Sequence, residues 1–162
     1  MTALRGERVS LEAVGPEHVE PLKEMRASPE VVRWWEPAGE GWPLTEEPQV
    51  QRLVILAGDE PAGYLQFAEE PDPMAKHADV DIFLGPEYQD QGLGTDALRT
   101  IVRHLLEQRG HHRITLGTSL ENARAIHCYK KVGFRTVGTL RKSALSHRSG
   151  QWEDELLMEL VV

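Results

Sequence analysis

The segment QDQGLGTDALRT, residues 89–100, places two glycines one residue apart immediately before a pattern typical of a helix. The residues ahead of it, ADVDIFLGPEY, are typical of a strand followed by a turn. Glycine lets the backbone approach a ligand closely, and the first N–H groups of a helix have no intrahelical acceptor. A helix that begins at about Thr95 therefore predicts a site for an anion such as a pyrophosphate. Taken alone, the loop fits a turn needed only for packing equally well.

Two other phosphate-binding loops do not fit this segment. GLGTDA matches the loose dinucleotide pattern G-x-G-x-x-A, but the residues PEYQDQ separate it from the strand. No acidic residue ends a second strand about 20 positions later, where a ribose would require one. A P-loop is excluded because no Gly-Lys-Ser/Thr sequence occurs. The segment therefore favours an anion site of another kind.

Length and charge restrict the classes of protein and partner. The 162 residues fit one domain, over residues 1–162, with a sizeable core. The formal net charge of −8 disfavours nucleic acid as a partner and favours a cationic one, although an ordinary acidic surface explains it equally well. The single cysteine, Cys128, excludes an internal disulfide and fits a reducing compartment.

The first residues, MTALRGERVSLEAV, contain no apolar stretch typical of a secretory signal. No apolar run approaches the ~20 residues needed to span a bilayer. We therefore expect a cytoplasmic protein that does not act at a membrane. No histidine has the spacing of a metal-ligand set, so we expect no metal. The oligomeric state stays open between monomer and homodimer.

Hydrophobic periodicity predicts the order of elements. The pattern gives a strand, two helices, three strands, a helix, a strand, a helix and two final strands. The clearest helix follows the glycines and ends at Gly110, with one apolar stripe formed by Leu98, Ile101, Val102, Leu105 and Leu106. This order favours an α+β or α/β fold around one mixed sheet.

A second motif, SLENARAIHCYKKVGF over residues 119–134, places a polar amide and a phenol on one helix face. That face carries Asn122, Ala125, Ile126 and Tyr129. Together with residues 89–94, the motif resembles the GNAT superfamily of N-acyltransferases. The first segment is similar to the family's acetyl-coenzyme A loop, Q/R-x-x-G-x-G/A, and the second to its N-x-x-A-x-x-x-Y-x-K-x-G-F segment.

The resemblance implies a GNAT fold, α+β in class and three-layered. Its central mixed sheet would be mostly antiparallel, with about seven strands and about four flanking helices. The sheet would splay between its fourth strand, ADVDIFLG, and its fifth, RITLGTS. It also implies acetyl-coenzyme A (acetyl-CoA) as co-substrate and no covalent enzyme intermediate.

The resemblance also assigns the residues that bind the co-substrate. The pyrophosphate would bind to the loop and helix start, formed by Gln91, Gly92, Leu93, Gly94 and Thr95, with Gln89 opening the motif. The backbone of Phe83 and Leu84 would pair with pantetheine like an added strand. Asn122 would hydrogen-bond the pantetheine arm, with Ala125 on the same helix face. Lys130 and Lys131 would either meet the ribose phosphate or remain solvated.

Two residues are candidates for proton transfer. Tyr129 would lie near the thioester sulfur, and a phenol with a pKa of ~10 suits protonation of the departing thiolate. Alternation along the fourth strand places Asp79, Asp81 and Phe83 on one face. Two carboxylates on an inner strand are unusual unless that face lines a cleft. We expect Asp81 to be the base, acting directly or through water, or only to orient the amine.

The acceptor is the least determined feature. The aspartate-bearing strand and the segment VVRWWEPAGEGWP look like the aminoglycoside 6′-N-acetyltransferases, an antibiotic-resistance group. A polyamine sugar requires carboxylates and aromatic surfaces, which would come from Trp34, Trp35, Glu36, Trp42, Asp79, Asp81 and Asp154. The alternatives are a protein N-terminus, a lysine or a siderophore-type amine. A non-catalytic acyl-CoA-binding module is a further alternative.

Overall fold

The computed structural model describes residues 2–162, in which helices cover both faces of one mixed sheet. The strands are β1 (Leu4–Arg5), β2 (Val9–Ala13), β3 (Val50–Ala57), β4 (Glu60–Glu69), β5 (Ala78–Leu84), β6 (Arg113–Ser119), β7 (Arg135–Leu145) and β8 (Trp152–Val161). The helices are α1 (Val19–Arg26), α2 (Pro29–Val32), α3 (Leu93–Glu107) and α4 (Ala123–Val132). The predicted α+β class is confirmed.

The sheet has eight strands in the order β1-β2-β3-β4-β5-β6-β8-β7. The prediction of about seven was one short, because the two-residue strand β1 pairs with β2 and is too brief to show alternation. All neighbouring strands run antiparallel except β5 and β6, which are parallel. Among residues 2–162, no helix is both long enough and apolar enough to cross a membrane.

The contact between β5 and β6 is limited to one end of the two strands. Only Ala78–Ile114 and Asp79–Thr115 are paired, and the strands then diverge. The β5 segment from Val80 onward therefore has no partner strand on the β6 side. This is the splay that the family resemblance implied between the fourth and fifth strands, which become β5 and β6 once β1 is counted.

Two apolar clusters hold the layers together, one on each face of the sheet. The larger packs α3 and α4 against the sheet, with Leu98, Ile101 and Leu105 fully buried. The smaller packs Leu22 of α1 and Val31 of α2 against Tyr64 and other residues of the opposite face. Alternation along β5 divides that strand between the two clusters, with Val80 in the first and Phe83 in the second.

The start of α3 is fixed by one carboxylate. Asp96 accepts hydrogen bonds from three consecutive backbone N–H groups, those of Glu7, Arg8 and Val9, at 3.0, 2.7 and 2.9 Å. Burial alone would raise the pKa of Asp96, but these backbone hydrogen bonds together lower it. The turn between β1 and β2 is thereby attached to the first turn of α3.

Candidate active site

A cleft of about 890 Å³ opens where β5 and β6 diverge. It is lined by the end of β5, the loop before α3, the end of β6, the start of α4 and the segment after α2. The glycine motif and the Asn–Tyr motif, separate in sequence, therefore face one space. Most of the residues that the sequence singled out line this cleft.

The glycine loop presents unused N–H groups to the cleft. The helix α3 begins at Leu93, two residues before the predicted start, and its first internal hydrogen bond runs from Asp96 N to the Gly92 carbonyl at 3.1 Å. The N–H groups of Leu93, Gly94 and Thr95 thus have no acceptor within the helix. Gly92 has φ +80°, a left-handed conformation that glycine adopts without strain.

The loop also leaves room for a ligand to approach the backbone. A Cβ added at Gly94 would lie 3.4 Å from Leu84 Cδ2 and 3.8 Å from Cys128 Sγ, which are ordinary contacts that the protein would tolerate, and all three residues line the cleft. Because unpaired N–H groups at a helix start attract phosphate, these residues fit the pyrophosphate of acetyl-CoA.

The side chains of Gln89 and Gln91 are used within the protein. Gln89 donates from Nε2 to the Leu84 carbonyl at 3.0 Å and accepts a hydrogen bond from Arg124. Gln91 donates from Nε2 to the Glu87 carbonyl at 2.7 Å and does not line the cleft. Both glutamines hold the loop in shape, so any contact of theirs with a ligand would come from the backbone.

The two edges of the splay supply further backbone groups. Ile82, Phe83 and Leu84 line one side of the cleft. The opposite side is formed by Gly117, Thr118 and Ser119, which pair only with β8. The amide groups of a pantetheine arm fit between two such edges, since each edge offers unpaired donors and acceptors.

The start of α4 faces the same space. Asn122 is the N-cap of α4, and its Oδ1 accepts a hydrogen bond from the Ala125 N–H at 3.3 Å. Asn122 and Ala125 line the cleft, as predicted for their face of the helix. Cys128 contacts Thr95 Oγ1 at 3.4 Å, and burial raises the pKa of its thiol, which disfavours a nucleophilic thiolate.

Asp81 is the most perturbed carboxylate in the cleft. Burial, followed by the negative charge of Asp79, raises its pKa to about 6, and Glu155 adds to the increase. Gln66 donates a hydrogen bond from Nε2 to Asp81 Oδ2 at 3.2 Å, which opposes the shift, as does the charge of Arg26. A carboxylate with a pKa near neutrality accepts a proton more readily than an ordinary aspartate.

Tyr129 lines the same cleft from α4 and is 7% exposed. Burial raises the pKa of its phenol well above the ordinary value, with smaller contributions from Cys128 and Asp81. The hydroxyl therefore stays protonated at neutral pH and is available as a donor. The cleft thus holds one candidate proton acceptor and one candidate proton donor.

Aromatic side chains form the other end of the cleft. Trp34, Trp35 and Trp42 all line it, together with Glu36. The ring of Trp35 packs edge-on against Phe83 with centroids 5.0 Å apart, and Trp42 packs against Tyr64 at the same separation. The wall is therefore continuous with the buried face of β4 and β5.

Two predicted acceptor residues lie outside the cleft lining. Asp79 accepts a hydrogen bond from Thr115 Oγ1 at 2.7 Å and influences the site through its charge. Asp154 is exposed on β8, where it accepts a hydrogen bond from the Lys142 N–H at 2.7 Å. Its neighbour Glu155 lines the cleft instead, because alternation along β8 directs the two side chains to opposite faces.

The sequence interpretation missed several polar residues of the cleft, among them Glu155, Gln66, Arg26 and Arg52. Gln66 stands out in the apolar strand GYLQFA, and Glu155 alternates with the buried Leu156, so both carried a detectable signal. Arg26 sits at a position that fits the helical period of α1. A charged residue among the apolar positions of an amphipathic helix could have indicated that Arg26 faces a functional site.

Comparison with known proteins agrees with this geometry. The model of the Acetyltransferase (GNAT) family matches residues 13–134. L-amino acid N-acetyltransferase AaaT of Escherichia coli (strain K12) is 28% identical over 149 residues, covering 88% of this chain and 91% of the relative. Aminoglycoside N(6′)-acetyltransferase type 1 of Klebsiella pneumoniae is 29% identical over 133 residues, covering 68% of this chain and 65% of the relative.

The fold has a close match among solved structures. RimL, a ribosomal L7/L12 alpha-N-protein acetyltransferase in complex with coenzyme A, superposes with a TM-score of 0.83 over 99% of this chain and 98% of that chain. At 17% identity this likeness concerns the fold alone. The splayed sheet, the glycine loop at the start of α3 and the family match lead to one conclusion: the chain belongs to the Acetyltransferase (GNAT) family and is an acetyl-CoA-dependent N-acetyltransferase.

Proposed function

We propose that the enzyme transfers the acetyl group directly to the primary amine of a small molecule, with Asp81 accepting a proton and Tyr129 donating one. The observation that carries this proposal is that both side chains line the cleft that also contains the glycine loop. Asp81 has a pKa of about 6, whereas the pKa of Tyr129 is raised by burial. Their environments move the two groups toward opposite roles at neutral pH.

Each residue has one step. Asp81 takes a proton from the bound ammonium, directly or through water, and leaves a neutral amine with a free electron pair. The amine nitrogen forms a bond to the thioester carbonyl carbon, and the carbon–sulfur bond then breaks. Tyr129 gives its proton to the departing thiolate and regains one from solvent or from the nitrogen. One acetamide, one thiol and one released proton balance the reaction.

The raised pKa of Tyr129 is compatible with this role. A weaker acid donates less readily to a fixed partner, but apolar surroundings raise the pKa of a thiol as well. The phenol and the leaving sulfur would share those surroundings, so their pKa values move together. A positioned donor of this kind is typically worth ~10²–10⁴ in rate.

The acceptor class most favoured by the sequence is an aminoglycoside-like polyamine, acetylated at its 6′-amine. Its support is the set of carboxylates around the aromatic end of the cleft: Glu30, Glu36, Glu40, Asp81 and Glu155. The partial similarity to an aminoglycoside N(6′)-acetyltransferase adds to it. Such an acceptor would make the enzyme a determinant of antibiotic resistance.

An amino acid is a second candidate acceptor. The AaaT relative, named as an L-amino acid N-acetyltransferase, aligns over more of both chains than the aminoglycoside relative does. Two guanidinium groups, those of Arg26 and Arg52, also line the cleft near its tryptophan side chains, the part that we call the acceptor end. Cations at that end oppose a polycation and suit an acceptor that carries a negative group.

A panel of acceptors tests the proposal. Coenzyme A release from acetyl-CoA is measured with kanamycin- and tobramycin-type aminoglycosides, polyamines, amino acids and peptides with free N-termini. We expect turnover with at least one class of small amine, and its loss by ~10²-fold or more in Asp81→Asn. Turnover with peptides only would move the function to protein acetylation. Tight acetyl-CoA binding with no turnover on any amine would indicate a binding module.

A further inference from the structure

Two arginines line the acceptor end of the cleft, and their hydrogen bonding differs sharply. Arg52 donates to four groups: the Thr45 carbonyl, the Tyr64 hydroxyl, Gln66 Oε1 and Glu47 Oε1. Its charge is neutralised by Glu47 at 2.5 Å. Arg52 is therefore satisfied within the protein and has little capacity left for a ligand.

Arg26 has spare hydrogen-bonding capacity. Within residues 2–162 its Nε and Nη2 both donate to a single atom, the Glu36 carbonyl oxygen, at 3.0 and 2.9 Å. Its Nη1 has no acceptor there, and no carboxylate of those residues forms an ion pair with it. A guanidinium has five N–H donors, so several remain for a bound molecule.

The side chain of Arg26 is also held in place. The guanidinium lies 4.5 Å from the centroid of the Trp42 ring and 5.1 Å from that of Trp35. Two aromatic contacts and the bonds to the Glu36 carbonyl restrict its rotation, so little entropy would be lost when it binds a ligand. Burial disfavours the charged form of Arg26 and so lowers its pKa, and a bound anion would favour the charged form again.

The position of Arg26 relative to Asp81 limits the kind of ligand. Arg26 contacts Trp35, Trp35 packs on Phe83, and Phe83 lies two residues from Asp81 on the same face of β5. Two residues of a strand span about 7 Å. The two side chains also shift each other's pKa, so each is exposed to the other's charge. Because both side chains line the cleft, a ligand that carries a cationic and an anionic group would match this pair.

We propose that Arg26 is an anion subsite for the acceptor, so that the enzyme acetylates the amine of an amino acid whose carboxylate binds the Arg26 guanidinium. Resting on the proposed function, this subsite decides between its two candidate acceptors in favour of the amino acid. The ammonium group faces Asp81, and the carboxylate accepts hydrogen bonds from Arg26 in a charge-assisted pair. The side chain of the amino acid contacts the aromatic wall.

The test compares acceptors that differ only in the carboxylate: L-leucine, L-leucinamide and 3-methylbutylamine. For the wild type and for Arg26→Gln, kcat and KM are measured with each acceptor. We expect the substitution to raise KM for L-leucine by about 10- to 100-fold, as for loss of a charged hydrogen bond, and to leave L-leucinamide within about twofold. The intrinsic pKa differences among the amines cancel because each acceptor is compared with itself.

Arg33→Gln is the matched control. Arg33 lies 4.6 Å above the ring of Trp34 and is exposed, but it does not line the cleft. We expect its kinetics to match the wild type for all three acceptors. If Arg26→Gln weakens all three acceptors to the same extent, Arg26 only clamps α1 to the segment after α2, and the subsite is refuted. Wild-type turnover with polyamines but not with L-leucine also refutes it.

A binding measurement separates this subsite from the proposed reaction. N-acetyl-L-leucine is titrated with coenzyme A present, and the fluorescence of the tryptophans beside Arg26 reports binding. N-acetyl-L-leucinamide serves as the control ligand. Binding that requires both the carboxylate and Arg26 supports the subsite even if no amine is acetylated. Equal binding of the acid and the amide, alongside normal turnover, overturns the subsite and leaves the acetyltransferase proposal intact.

Discussion

The side-chain amide of Gln66 donates from Nε2 to Asp81 Oδ2, while its Oε1 accepts hydrogen bonds from Tyr64 Oη at 2.7 Å and Arg52 Nη1 at 2.9 Å. The two donors require an oxygen at that position, so they fix which end of the amide faces Asp81. The orientation of the candidate base therefore depends on residues that do not touch it. This dependence leads to the first prediction.

Replacing Gln66 with leucine should raise the pKa of Asp81 further. The hydrogen bond from Gln66 favours the charged carboxylate, so its loss favours the protonated form. The acidic limb of kcat/KM should move to higher pH, and kcat/KM at pH 7 should fall. A pH–rate profile measures both effects. A variant whose limb stays at the wild-type pH would show that Gln66 does not tune Asp81.

Replacing Asp79 with asparagine should have the opposite effect on the profile. The negative charge of Asp79 raises the pKa of Asp81, so its removal lowers that pKa and moves the acidic limb from about 6 to lower pH. The exposed Asp59, in the turn between β3 and β4, provides the control variant Asp59→Asn, which should leave the limb in place. An unchanged pH–rate profile in Asp79→Asn would show that the charge of Asp79 does not affect the pKa of Asp81.

Replacing Tyr129 with phenylalanine should lower kcat while preserving acetyl-CoA binding. The ring packs near Phe134, with centroids 6.4 Å apart, and phenylalanine keeps that contact. Loss of the donor should reduce kcat by ~10²-fold or more. Calorimetric titration with acetyl-CoA and steady-state kinetics separate the two quantities. Full turnover in the variant would assign protonation of the thiolate to another group.

The two glycines of the loop should respond differently to alanine. Gly92→Ala should lower the free energy of unfolding by about 1–2 kcal/mol because its φ of +80° strains a residue that has a Cβ. At Gly94, the protein accommodates the methyl group, which we expect to occupy space in the cleft that the ligand would use. Gly94→Ala should therefore weaken acetyl-CoA binding about tenfold, the scale of a lost charged hydrogen bond, at nearly wild-type stability. Denaturant unfolding measures the stability of both variants, and titration measures their affinity for acetyl-CoA. Weakened acetyl-CoA binding in Gly92→Ala but not in Gly94→Ala would contradict the prediction.

Replacing Asp96 with alanine should destabilise the fold by about 1–3 kcal/mol, because three backbone N–H groups lose their acceptor. The folded-state pKa of Asp96 lies below its unfolded value, so its contribution is present above the unfolded value of about 4 and disappears as pH falls through the folded one. The stability difference between wild type and Asp96→Ala should accordingly narrow in acid. Urea unfolding at several pH values measures this difference in the free energy of unfolding. A difference that stays constant with pH would exclude a stabilising role for the ionised carboxylate of Asp96.

How far sequence reasoning reached depends on the range of the interactions involved. The order of helices and strands, the glycine turn and the faces of β5 follow from periodicity and from neighbouring residues, and the structure agrees with them. The resemblance of two short motifs added the fold and the co-substrate. The strand β1 has only two residues, which are too few to show alternation. Its pairing with β2 is visible only in the folded structure.

The charged residues at the acceptor end of the cleft could not be predicted from sequence patterns. Asp154 and Glu155 are adjacent in sequence, yet only pleating within the sheet determines which one lines the cleft. Arg26 and Arg52 have the same charge, but only the folded structure shows that Arg52 donates to four groups while Arg26 donates to one carbonyl oxygen. The raised pKa of Asp81 arises first from its burial, which exists only in the folded structure, and then from the charge of Asp79 on the same strand and of Glu155 on β8.

The sequence by itself determined the order of elements and the glycine turn before α3, because local spacing encodes helix starts and strand faces, and the resemblance of its two motifs implied the chemistry of acetyl transfer. The tertiary structure alone decided which charged groups share the acceptor end of the cleft and which of them remain unpaired. That decision depends on long-range packing, since burial and electrostatic coupling exist only once β4, β5, β8 and α1 meet around one space.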